Sequence, residues 1–92
     1  MEEIRNIVRG LNESGFSNSE LRSLVNALSY ECNWDLAKVL IEKEIYRHEL
    51  YYKPLLEKIN GMDDEYKEKV NQIAKFMINY NKAKLDEIMP IQ

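Results

Sequence analysis

The residues able to do chemistry are few, and they are scattered. His48 is the only histidine and Cys32 the only cysteine. A zinc-protease helix needs a second histidine one turn after a His-Glu pair, but His48-Glu49 is followed by Leu50, Tyr51 and Tyr52. A nucleophilic Cys32 would need a base beside it, and His48 belongs to a different stretch. The glycines stand at 10, 15 and 61, so no phosphate-cradling loop exists. The acid pairs Glu2-Glu3 and Asp63-Asp64 fall at expected helix starts, where the helix dipole favours negative charge. A single cysteine also forms neither an internal disulfide nor a cysteine-based zinc site. The expectation is a protein without catalysis, metal or cofactor.

Tyrosines next to cations are the second candidate chemistry. Six tyrosines occur, at 30, 46, 51, 52, 66 and 80. Tyr46 adjoins Arg47, Tyr51 and Tyr52 precede Lys53, and Tyr80 is followed by Lys82 and Lys84. Such pairs can stack bases and hold phosphates. Acids are interleaved with them, however, at Glu42, Glu44, Glu49 and Glu57, and the net charge is −3. A helix-turn-helix reading places a recognition helix from Asp35, offering Lys38 and Lys43 against Asp35, Glu42 and Glu44. Nucleic acid is therefore not the favoured partner.

The elements that position these residues are helices. Ile4, Ile7, Val8 and Leu11 repeat at helical spacing and predict a first helix over 2–13, with Gly15 as the left-handed residue beyond its end. Ser17 and Glu20 form a capping box, and Phe16 is placed to staple onto Leu21. Leu21, Leu24, Val25 and Leu28 carry this second helix towards Glu31, with a corner at Cys32-Asn33. A third helix starts after Asn33, with Leu36, Ala37, Leu40 and Ile41 as its inner face. No glycine or proline interrupts 35–53, which predicts continuity through Ile45 and Leu50. Pro54 then either kinks this helix or opens a new one after a stop near Tyr52. Leu55, Leu56 and Ile59 continue the pattern to Asn60-Gly61. The last helix is expected over about 63–89, with Tyr66, Val70, Ile73, Met77, Tyr80 and Ile88 on one side.

The 92 residues, 45% hydrophobic and 32% charged, allow one globular domain. Three glycines and two prolines are too few for the turns of an all-β fold. No apolar run is long enough to span a membrane, and the N-terminus has no secretory pattern, so a cytoplasmic protein is expected. The fold class is all-α with four to five helices. A three-helix unit over 1–43 precedes a helical extension over 44–92 within a single domain.

Residues 11–41 resemble a ubiquitin-associated (UBA)-like three-helix domain. The likeness is carried by the Gly15-Phe16 turn, the Ala27-Leu28 pair, and the run Asn33-Trp34-Asp35-Leu36-Ala37. Ser14 stands where that family usually has a hydrophobic residue, often methionine. The resemblance implies a ubiquitin-binding patch formed by Gly15, Phe16, Leu40 and Ile41.

Two surfaces emerge as functional candidates. Around Tyr46, Leu50 and Tyr51, apolar side chains point in too many directions for one helix face, which predicts a docking site for another protein. Tyr66, Val70, Ile73, Met77 and Tyr80 lie on a helix that outruns a small core, which predicts a homodimer. The expected function is protein–protein interaction, as an adaptor, assembly factor or inhibitor such as viruses and mobile elements encode. Nucleic-acid or ubiquitin binding are the alternatives.

Overall fold

Helix α1 (Glu2–Glu13) is followed by α2 (Asn18–Leu28), α3 (Trp34–Ile45), α4 (Glu49–Asn60) and α5 (Asp64–Asn79). The computed structural model describes residues 2–28 and 32–79, with side chains as far as Phe76. No strand occurs among them, so the fold is all-α with five helices.

The corners obey local rules. After α1 the chain closes in a Schellman motif: the Phe16 amide donates to the Leu11 carbonyl at 3.0 Å and the Gly15 amide to that of Asn12 at 3.1 Å. Gly15 holds φ at +108°, a region that side-chain-bearing residues avoid. Ser17 and Glu20 make the reciprocal capping box, with the Glu20 amide 3.1 Å from Ser17 Oγ and the Ser17 amide 3.0 Å from Glu20 Oε1. Phe16 and Leu21 are both buried in the same cluster, as a hydrophobic staple requires. Asn33 caps α3 by accepting the Leu36 amide at 3.1 Å, and Asp63 caps α5 by accepting that of Tyr66 at 2.9 Å.

The core draws on every helix. Val8 and Leu11 come from α1; Leu21, Leu24, Val25 and Leu28 from α2; Ala37 and Ile41 from α3; Leu55 and Ile59 from α4; Val70, Ile73, Ala74 and Phe76 from α5. α2 lies between α3 and α5, α1 packs on α5, and α4 folds back on α3. Polar pins join the layers: Trp34 Nε1 donates to Asn71 Oδ1 at 3.0 Å, and the Tyr51 hydroxyl lies 2.8 Å from Ser19 Oγ and 3.0 Å from Ser23 Oγ.

Two expectations need correction. The third helix does not continue through Leu50: it stops at Ile45, and Tyr46–His48 form a turn. The amides of Arg47 and His48 both return to the Glu44 carbonyl, at 2.9 and 3.0 Å. No breaker residue marks this turn. It exists because Leu55 and Ile59 reach the core only if α4 turns back along α3. Pro54 does not stand in the first turn of a new helix: α4 already starts at Glu49, and Pro54 is an exposed residue inside it. The last helix is described to Asn79, and its expected continuation to Met89 lies outside the described residues.

Candidate functional site

α3 is apolar on two sides. Successive residues turn by about 100°, so Ala37 and Ile41 share the side that meets the core, and Ile45 follows them half-buried. Leu36, Val39 and Leu40 lie on the other side. They expose 44%, 44% and 40% of their surface, and beyond them Tyr46 exposes 94% and Leu50 88%. Leu36 and Leu40 therefore leave the inner face that the sequence assigns to them. A single helix buries only the part of its circumference that its neighbours touch, and α2 and α4 reach only the Ala37–Ile41 side.

Leu40 is also on the lip of an open groove of about 430 Å³. Ser23, Asn26 and Ala27 line it from α2, Leu40 and Ile41 from α3, and Tyr52 from α4. Its surface mixes apolar floor with amide and hydroxyl groups, which suits an apolar anchor flanked by hydrogen bonds. Asp35, Glu42, Lys43 and Arg47 are exposed beside the α3 strip. Arg47 pairs weakly with Glu44 at 3.7 Å, whereas Asp35 and Lys43 have no ion-pair partner among the described residues. Of the other cations, Lys53 stands beside Glu49 at 3.7 Å, Lys69 beside Glu65 at 3.6 Å and Lys75 beside Glu68 at 3.9 Å.

The region around the α1–α2 corner is closed by a charge cluster. Lys58 of α4 donates to both carboxylate oxygens of Glu20 at 2.8 Å and to the Gly15 carbonyl at 2.7 Å, and its ammonium stands 5.7 Å from the Phe16 ring centre. Burial of Glu20 raises its pKa, but the bonds from Lys58 and Ser17 outweigh this and hold the carboxyl below its ordinary value.

The sequence-predicted residues thus divide. Of Tyr46, Leu50 and Tyr51, the first two protrude and Tyr51 is half-buried with its hydroxyl engaged by Ser19 and Ser23. Of Gly15, Phe16, Leu40 and Ile41, Phe16 and Ile41 are core residues, leaving Gly15 and Leu40 open. The self-association face is the largest correction. Val70 and Ile73 are fully buried against α1 and α2 within one chain, so they offer nothing to a second copy. Tyr66 is half-buried, its hydroxyl 3.2 Å from Ser14 Oγ and Lys69 above its ring at 5.1 Å. The side chains of Met77 and Tyr80 lie outside the described residues.

Sequence reasoning overlooked Val39. The signal was available: Leu36, Val39, Leu40 and Ile41 give α3 too broad an apolar arc for one buried side. Among the described residues no three of His, Cys, Asp and Glu gather into a metal site, and no helix is long and apolar enough to cross a membrane. No family model, curated protein or solved structure matches the chain.

Proposed function

We propose that this protein is a non-enzymatic protein–protein interaction module that docks its partner on the outer side of α3, as a small adaptor, assembly factor or inhibitor. The observation that carries this reading is the strip Leu36, Val39 and Leu40, which continues in sequence into the protruding Tyr46. A lone exposed leucine is ordinary, but a row of aliphatics on one helix side with an aromatic beyond it has the composition of an interface core. Burying such side chains against a partner contributes about 25 cal/mol per Å² of apolar surface before the costs of association. The groove beside Leu40 adds a recess for an anchor side chain.

Two alternatives are less well supported. A nucleic-acid surface needs concentrated positive charge, and here Lys53, Lys69 and Lys75 each have an acid within 4.0 Å. A ubiquitin patch on the Gly15-Phe16 corner would need Phe16 open, and it is buried with Lys58 above it.

The test compares the wild-type chain with a triple variant, Leu36→Gln, Val39→Gln and Leu40→Gln. Glutamine keeps helix propensity close to that of leucine. Circular dichroism and thermal melting should stay near wild type, while proteins retained from the native host by the immobilised wild-type chain should be lost. Retention of the same proteins by a folded triple variant would refute the docking surface.

A further inference from the structure

The turn between α3 and α4 holds no residue that resists a helix, and part of it is helix already. Tyr46 keeps helical backbone angles, φ −63° and ψ −25°, and the His48 amide bonds to the Glu44 carbonyl four residues back. His48 departs, at φ −154° and ψ 79°, and its side chain provides no cap for α4. Straightening this turn would pair the amides of Glu49 and Leu50 with the carbonyls of Ile45 and Tyr46, and would fuse α3 and α4 into one helix about 40 Å long. The side chains are in register for that helix. At about 100° per residue, Leu55 and Ile59 of α4 fall on the same side as Ala37 and Ile41 of α3, so core residues of both helices share one side. Leu36, Val39, Leu40, Tyr46 and Leu50, the exposed large hydrophobics among the described residues, gather within about 120° on another side, with Lys43 and Arg47 among them.

We infer that residues 46–48 are the hinge of an exchange between two copies: the turn straightens, and α4 and α5 of each copy pack on α1, α2 and α3 of the other. A lone chain cannot straighten, because Leu55, Ile59, Val70 and Ile73 would leave the core. A second copy supplies the same α4 and α5 to the same places. The Tyr51 hydroxyl then meets Ser19 and Ser23, and Lys58 meets Glu20, between chains instead of within one. The identity of the two sequences therefore fixes the occupant, and no contact beyond those of the monomer is required. The two forms differ at the hinge and in the entropy of association, so rising concentration favours the exchanged dimer. The inference does not depend on the docking reading above. It moves self-association from the α5 face, whose Val70 and Ile73 are already enclosed, to the turn that α4 packing imposes on the chain.

Sedimentation velocity of the full chain, refolded from denaturant at about 1 to about 500 µM, tests it. The wild-type dimer fraction should rise across that range. His48→Ala favours the straight helix at both hinges of the dimer and should tighten it about tenfold. Arg47→Gly with His48→Gly favours the bend and should weaken it by more than about tenfold. A mixing experiment separates exchange from side-by-side dimerisation. Glu20→Lys and Lys58→Glu each set like charges against one another within a chain. Refolded together, exchange joins Glu20 of one variant to Lys58 of the other, so mass-tagged heterodimer should exceed either homodimer about tenfold or more. A side-by-side dimer leaves both clashes in place and forms no such excess. If neither variant folds alone, recovery of helical signal on mixing gives the same answer. A wild-type monomer throughout, a dimer indifferent to both hinge variants, or a mixture without excess heterodimer would each overturn the exchange.

Discussion

In α5, Val70, Ile73 and Ala74 face inward, covered by α1 and α2; in α3, Leu36, Val39 and Leu40 face water. Both sets are aliphatic and both recur at helical spacing. What separates them is the number of neighbours each helix finds within one chain. α5 closes one side of the five-helix assembly, with a single apolar side to cover. α3 carries apolar residues around most of its circumference, and α2 and α4 cover only half of it. The presence of an apolar stripe therefore does not identify an interface. On the function proposed above, the stripe that remains after the chain has satisfied its own core does.

Substitutions can break that contrast. The largest effect is expected for Ile73→Ala, which leaves a cavity at a fully buried site and should cost about 3 kcal/mol. In a domain of this size that lowers the melting temperature by more than about 10 °C. Val39→Ala on the open side should stay within about 0.5 kcal/mol when measured on dilute monomer. Equal losses in the two would erase the distinction between a used and an unused side.

Next in size is Lys58→Met. It strands the buried Glu20 carboxylate and should cost about 2 kcal/mol by denaturant titration. The pH dependence sharpens this result. Because the folded state holds Glu20 below its reference value of 4.5, its contribution is present above that pH and is lost as pH falls through the lower, folded value. In Lys58→Met this acid-labile component should shrink, and an unchanged stability profile between about pH 3 and 7 would contradict the assignment.

A smaller loss, about 1 kcal/mol, is expected for Asn33→Ala, which removes the cap from the Leu36 amide at the start of α3. Hydrogen exchange should then rise first in the opening turn of α3. The smallest change has the opposite sign. Gly10→Ala in α1 meets nothing within 4 Å, so it should stabilise by about 0.5–1 kcal/mol through helix propensity alone. A loss there would show that Gly10 serves a contact.

Local chemistry was legible in the sequence wherever a few adjacent residues decide the outcome. The capping box at Ser17 and Glu20, the left-handed Gly15 and the stop at Asn60-Gly61 each depend on bonds spanning no more than a few residues. The turn at Tyr46–His48 was not legible, because no residue there forbids helix and the decision is made by packing of α4 against α3. The same limit hid the exposed strip on α3. The pattern of α3 shows more apolar surface than one side can use, but which half stays open depends on where α2 and α4 settle.

The cluster at the α1–α2 corner has a consequence for how this chain can diverge. Ser17 needs Glu20 to finish the cap, Glu20 needs Lys58 to balance its buried charge, and Lys58 in turn satisfies the Gly15 carbonyl. Changing one position alone leaves another stranded, so drift should replace the three as a set. Positions 17, 20 and 58 are then expected to covary in any homologous chain, a correlated signature linking the first half of the protein to the second.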